Sequence, residues 1–155
     1  MRVLAEVLFA RIGKSDLRFQ VARFALDGRG EPDRAVRDHA DLRTGEPDAL
    51  RIVHSTSWRY ERGKIVLTYL VYSDRLRFRG RARRARISAL PSAEHAAGDG
   101  KDRDRQVAAH ALRHLALLVA EDPKTYEAKI GGATRRMLRR LRPAAAGRVL
   151  HRGSG

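Results

Sequence analysis

The chain has 155 residues, no cysteine and a formal net charge of +15, from 33 basic and 18 acidic side chains. This length suits one domain that buries a core without metals or disulfides, and the lack of cysteine excludes disulfides, thiolate zinc sites and thiol nucleophiles. The N-terminal apolar run is short and interrupted by Glu6, so it predicts neither a signal peptide nor a membrane span. We therefore expect a cytoplasmic protein with no membrane partner.

The excess positive charge lies in the part of the chain after residue 50. Residues 1–50 carry nine basic and nine acidic side chains, residues 51–100 carry eleven against four, and residues 101–155 carry thirteen against five. Codon bias explains a preference for Arg over Lys but not the net sign, and a polyanionic partner is the usual reason for such an excess in a small domain. The charge thus predicts an anion-binding region in the middle and C-terminal parts.

The N-terminal quarter predicts a β-hairpin. Residues 3–12 and 17–26 are apolar runs separated by the turn-like residues 13–16, although both runs also fit helical stripes. Residues 27–49 are rich in Gly, Pro and Asp, which predicts a long loop with one or two helical turns around residues 33–42. This loop has seven acidic residues against four arginines, so it could also cover a basic surface.

The middle of the chain predicts a three-stranded meander at about 51–60, 64–73 and 75–84. Arg62 and Gly63 form the first turn, where Gly supplies the positive φ, and Ser73 and Asp74 form the second. Alternation along these strands sorts the side chains onto two faces. One face is apolar and includes Trp58, Tyr69 and Phe78, and we expect the C-terminal helices to pack on this face.

The opposite face predicts a phosphate-binding surface. Seven of the twelve residues 75–86 are arginine, a stretch that we name the arginine segment. Alternate strand residues lie roughly 6.6 Å apart, so these cations repel one another unless an anion is near, and guanidinium and hydroxyl groups both suit phosphate. The predicted binding residues are Arg59, Arg75, Arg77, Arg79, Arg81, Arg83, Ser55, Ser57 and Thr68.

Three other interpretations of the arginine segment stay open. A charged edge strand protects a sheet against aggregation, and residues 27–49 could neutralise the charge internally. Alternatively, the segment forms a helix with Phe78, Ala82, Ala85 and Ala89 on one side. Each interpretation makes a different prediction for the position of this segment.

The C-terminal third predicts two helices after a flexible connection. Residues 105–120 place Ala108, Leu112 and Leu115 on one side, and a second helix begins after Asp122 and is stopped by Pro143, with a break or kink at Gly131 and Gly132. Its solvent side forms a second basic patch that also suits the helix dipole. The patch comprises Arg135, Arg136, Arg139 and Arg140. We expect one domain over residues 1–142 and a disordered basic tail over 143–155.

The sequence contains no strong catalytic motif. His110 and His114 have the i, i+4 spacing of a metal pair, but no third ligand is evident, and both lie on the polar side of the helix, so we expect them to be exposed. His54 is expected in the core. Residues 106–123 resemble the helix of the Nudix hydrolase box, whose glutamates bind a metal. His114, Leu117 and Leu118 stand in place of those glutamates, so the resemblance implies no magnesium site.

Taken together, the sequence predicts an α+β domain, an antiparallel sheet with two C-terminal helices packed on one face. Its predicted function is binding of a phosphate-rich polyanion, RNA or DNA, without a cofactor. The alternatives are a module that docks an acidic protein and a small enzyme acting on a phosphorylated or carboxylated metabolite.

Overall fold

The structure is a computed structural model that describes residues 1–90, 100–143 and 147–148. It confirms the α+β class. The elements are β1 (Arg2–Ile12), β2 (Asp16–Leu26), α1 (Pro32–Thr44), β3 (Ile52–Glu61), β4 (Lys64–Tyr72), β5 (Arg83–Arg86), α2 (Gly100–Glu121), α3 (Pro123–Tyr126), α4 (Gly132–Leu138) and β6 (Gly147–Arg148). Within the described residues, no helix is long and apolar enough to cross a membrane.

The strands form one sheet in the order β5-β2-β1-β4-β3-β6. The β1–β2 hairpin is confirmed, and so is the β3–β4 hairpin, whose turn places Arg62 and Gly63 at φ values of 47° and 74°. The two hairpins join through a parallel pairing of β1 with β4. The short strand β6 pairs with β3, and the rest of the predicted disordered tail, except Pro143, lies outside the described residues.

The predicted third strand of the meander is wrong. Residues 75–82 belong to no strand, and β5 pairs antiparallel with β2 rather than with β4. The reason is that the two edges of β4 are already occupied, by β3 on one side and β1 on the other. The chain after Tyr72 therefore crosses the N-terminal hairpin and pairs with the free edge of β2.

The predicted faces of β3 are also wrong for its first half. Pairing follows the expected register from Glu61↔Lys64 to Ser57↔Thr68, but the register then shifts by one residue at Thr56. Such a β-bulge reverses the side on which the following residues point. Ser55 and Ser57, predicted to share a face, consequently lie on opposite faces.

The C-terminal helices pack on one face of the sheet, as predicted. On this α2 face, Leu70 and Tyr72 of β4 and Leu8 of β1 join a buried cluster with Leu112 of α2 and Leu138 of α4. The sequence predicted the face of Trp58, Tyr69 and Phe78 for these helices instead, and that assignment is wrong because β4 presents its even-numbered residues to them.

The α1 helix covers the part of the opposite face that contains Phe9 and Tyr69, although the sequence predicted mainly a loop for residues 27–49. Pro32 occupies the first turn of this helix, and Gly45 ends it in the left-handed conformation. Val36 and Ala40, one turn apart, are fully buried against Phe9 and Tyr69. Two small apolar residues at helical spacing were the sequence signal for this helix.

A buried ion pair lies in the middle of the sheet on the α2 face. The carboxylate of Glu6 is completely buried and accepts two hydrogen bonds from Arg59, at 2.8 and 2.9 Å. Thr68 and Arg23 donate to the same carboxylate. Burial alone would raise the pKa of Glu6, but the hydrogen bond and charge of Arg59, helped by Arg23, hold that pKa below its ordinary value.

We expect Glu6→Gln to lower the free energy of unfolding at pH 7 by about 3–5 kcal/mol, because Arg59 would keep a buried charge without its counter-ion. The depressed pKa means that Glu6 stabilises the fold above the ordinary value of 4.5 and that this stability is lost as pH falls through the lower folded-state pKa. Urea unfolding at pH 7 and pH 3 should show a smaller difference in Glu6→Gln than in the wild type.

The exposed residue Glu121 provides the control for this experiment. Glu121→Gln removes the same charge from the surface and should leave both unfolding curves close to those of the wild type. Equal stabilities of Glu6→Gln and Glu121→Gln at pH 7 would contradict a structural role for the buried pair.

Candidate functional site

The arginine segment runs along the end of the N-terminal hairpin and is held by its own apolar residues. Leu76 is completely buried, and its carbonyl accepts a hydrogen bond of 3.0 Å from Arg11. Phe78 is half-buried beside the guanidinium groups of Arg11 and Arg18, which lie 5.7 and 5.8 Å from its ring centroid. Alternation of apolar and basic residues therefore persists here without a β-ladder.

A turn at Gly80 and the side chain of Gln20 fix the next part of the segment. Gly80 has φ of 79°, a conformation that side chains other than glycine rarely adopt. The amide nitrogen of Gln20 donates to the carbonyls of Arg79 and Arg81, at 2.8 and 3.1 Å. These hydrogen bonds attach residues 79–81, which belong to no strand, to β2.

The seven arginines of this segment are exposed and largely without carboxylate partners. Arg83 lies 3.7 Å from Asp104, and over the described part of the chain the other six have no carboxylate within 4.0 Å. The six are Arg75, Arg77, Arg79, Arg81, Arg84 and Arg86. The described carboxylates therefore do not relieve the repulsion among these six cations. This uncompensated charge favours the binding of an external anion.

The acidic segment 27–49 does not neutralise the arginine segment in the described structure. Asp41 and Asp48 pair with the buried Arg51, Asp48 also pairs with Arg37, and Asp33 accepts a hydrogen bond from Tyr69. These contacts attach α1 and the following turn to β3 and β4. The observed pairs thus argue against the interpretation that this segment is an internal partner for the basic residues.

An open groove of about 680 Å³ lies where the segment enters β5. Its lining residues are Arg18, Gly80, Arg81, Ala82, Arg83 and Arg84. Four of these six residues are arginines, and Gly80 leaves the backbone accessible. The groove thus combines charge with room for a phosphate group.

The predicted sheet residues do not join this surface. Arg59 is 4% and Thr68 1% exposed, both bound to Glu6 under α2, and Ser57 is on that same covered face. Ser55 is exposed but points to the α1 face at the opposite edge of the sheet. The hydroxyl-rich sheet face predicted from alternation is wrong, because Glu6 holds Arg59 and Thr68 inside the protein and the bulge at Thr56 turns Ser55 to the other face.

The second basic patch lies close to the start of the arginine segment. Asp74, directly before Arg75, accepts hydrogen bonds from Thr134 at 2.7 Å and from the backbone of Gly131 at 2.5 Å. Arg136, Arg139 and Arg140 follow on the exposed side, whereas Arg135 is half-buried and 3.2 Å from Glu127. The helix predicted after residue 122 is interrupted before Gly131, which is positioned by this contact with Asp74.

We expect Asp74→Ala to destabilise the fold by about 2–4 kcal/mol, because Tyr72, Thr134 and Gly131 would all lose a charged acceptor. Burial and the hydrogen bond to Asp74 raise the pKa of Tyr72 above its ordinary value, so its hydroxyl stays protonated as a donor. Urea unfolding measures the loss of stability. Asp38→Ala, at an exposed position on α1, should change stability little. Similar stabilities of the two variants would contradict the role of Asp74 in attaching Gly131 and Thr134 to the end of β4.

The histidines make structural contacts. His114 was predicted to be exposed, but it is 3% exposed and its Nε2 lies 3.0 Å from Nδ1 of His54. His110 is half-buried, with its Nε2 3.0 Å from the carbonyl of Thr56 at the bulge. The described residues contain no group of three potential metal ligands. This arrangement attaches α2 to the first half of β3.

Comparison with protein-family models and with curated protein sequences finds no match for this chain.

Proposed function

We propose that this protein binds a phosphate-rich polyanion, RNA or DNA, through the arginine segment, with the exposed arginines after Thr134 assisting. The observation that carries this proposal is the exposure of six arginines with no carboxylate within 4.0 Å in the described structure. Nucleic acid supplies a row of phosphates, and each phosphate suits a guanidinium group. We propose a cytoplasmic location, where such a partner is present.

The shape of the segment supports a positioned contact rather than a loose charged tail. Leu76 and Phe78 anchor one half, and Gln20 holds the backbone on both sides of Gly80. Because this backbone is already ordered, less conformational entropy is lost when an anion binds. The contact through Asp74 brings the second basic patch to the same end of the fold.

The position of β5 favours a second role for its arginines. In the described sheet β5 is an edge strand, and its residues Arg83, Arg84 and Arg86 are exposed. Charged side chains on an edge oppose pairing with another chain. Residues 75–82 are outside the sheet, however, so edge protection does not account for Arg75, Arg77, Arg79 and Arg81.

We expect the triple variant Arg77→Gln/Arg79→Gln/Arg81→Gln to bind duplex DNA with a weaker salt dependence. If about five phosphates are engaged, the wild-type slope of log affinity against log salt is about −4.5, and removing three contacts reduces it to about −2. Fluorescence anisotropy with a labelled duplex across a series of salt concentrations measures both slopes.

The matched control is Arg29→Gln/Arg34→Gln/Lys124→Gln, which removes the same charge from exposed positions elsewhere. Its slope should stay close to that of the wild type. Identical slopes for the two triple variants would show that only net charge matters, and a wild-type protein that binds neither DNA nor RNA at low salt would refute the proposed function. Retention of an acidic protein under those conditions would support the docking alternative.

A charge-neutral variant tests the geometry separately. Gln20→Ala removes the two hydrogen bonds to the carbonyls of Arg79 and Arg81. We expect the affinity for the same duplex to fall by about 2- to 10-fold, while the salt slope is unchanged because the arginines remain. Thermal melting checks that the fold persists, and wild-type affinity in a folded Gln20→Ala would argue against a preordered backbone.

A further inference from the structure

Two aromatic side chains are exposed next to each other on the α1 face of β3. Trp58 is 41% and Tyr60 60% exposed, in a structure where most large apolar residues are buried. The α1 helix packs on the half of this face that contains Phe9 and Val71. Trp58 and Tyr60 lie on the other half, toward the β3–β4 turn.

The spacing of these rings suits flat ligands. As alternate residues of one strand, Trp58 and Tyr60 project from the same face roughly 6.6 Å apart. Leu67 and Ile65, their partners on β4, are half-buried and provide an apolar floor beside the rings. An aromatic pair on a strand is a surface on which successive bases can stack, whatever their identity.

The charges around this pair indicate which flat ligand fits. Arg62 is exposed in the turn two residues after Tyr60, whereas Arg2 and Lys64, at the same end of the sheet, are in phase with Glu6 and Thr68 on the α2 face. Glu61 is held at 3.0 Å by Arg59 and at 2.5 Å by Arg103, also on the α2 side. An apolar surface next to a cation, in a chain of net charge +15, suits bases attached to a phosphate backbone better than it suits an apolar peptide.

We infer that Trp58 and Tyr60 form a stacking platform for unpaired bases, so that the polyanion is single-stranded RNA or DNA. This inference rests on the proposed function. The platform lies four strand spacings from β5, about 19 Å across the sheet. Trp58 is level with Ala5 and Arg83 with Ala10, which adds about 17 Å along the strands and makes the separation roughly 25 Å. A strand of several nucleotides is therefore long enough to contact the platform and the arginine segment together.

Trp58 is the single tryptophan of the chain, so intrinsic fluorescence reports on this platform alone. An oligothymidylate of about 12 nucleotides should quench the tryptophan emission at low salt, because a stacked base contacts the indole ring. Heparin, which carries dense negative charge but no bases, should bind without comparable quenching. Equal effects of the two ligands on the emission would contradict base stacking.

Substitution provides the second test. Trp58→Ala should weaken binding of labelled oligothymidylate by roughly 5- to 150-fold and leave heparin affinity unchanged, whereas Trp58→Phe should keep most of the affinity. Leu42→Ala, at a residue 84% exposed on α1, is the control for removing an exposed apolar side chain and should have no effect. Circular dichroism and thermal melting verify the fold of each variant.

The outcomes separate this inference from the proposed function. The platform would be overturned if a folded Trp58→Ala kept the wild-type affinity for oligothymidylate. Equal affinity for the single strand and its duplex would also overturn it. In either case, salt-dependent binding through the arginines would leave the proposed function standing. Failure of every polyanion to bind at low salt would remove both. A dimer that becomes monomeric on Trp58→Ala in sedimentation would instead identify the surface as an interface between two copies, which would also overturn the platform.

Discussion

The buried pair of Glu6 and Arg59 constrains much of the remaining structure. A carboxylate with no exposed surface must be matched by hydrogen bonds and by an opposite charge, and both come from β3 and β4 through Arg59 and Thr68. This requirement fixes how the two hairpins meet, since β1 must run beside β4 for Glu6 to reach these partners. The same pairing fills the edge of β4 and sends the following chain across the N-terminal hairpin, where the arginine segment becomes part of the surface.

The arginines consequently fall into two groups, one buried and paired and the other exposed. Arg59 and Arg51 are inside the protein and bound to its own carboxylates, so they stabilise contacts between elements. The arginines between residues 75 and 86 are outside, and apart from Arg83 they lie away from the described carboxylates. A count of basic residues does not distinguish these groups, whereas burial and pairing do.

The sequence contained enough local information for both hairpins, for α2 and for the exposure of the arginine segment. Glycine at the β3–β4 turn and the alternation of Leu76 and Phe78 with arginine are local signals, and their consequences are observed. The parallel pairing of β1 with β4 and the bulge at Thr56 depend on distant residues or on backbone irregularity, and neither has a local signature. Glu6 within an apolar run was a signal of a buried partner, although nothing nearby in the sequence identified Arg59.

The order of the strands has a consequence for how the chain folds during synthesis. Arg2 pairs with Lys64 and Ala10 with Tyr72, so the central ladder joins residues about sixty positions apart. Pairing at such separation requires a large loop to close first, which slows folding. A nascent chain that ends before β4 can form the first hairpin, but one side of β1 has no neighbour and Arg59, although already synthesised, is not held beside Glu6. Until β4 has left the ribosome, β1 therefore presents an unprotected apolar edge.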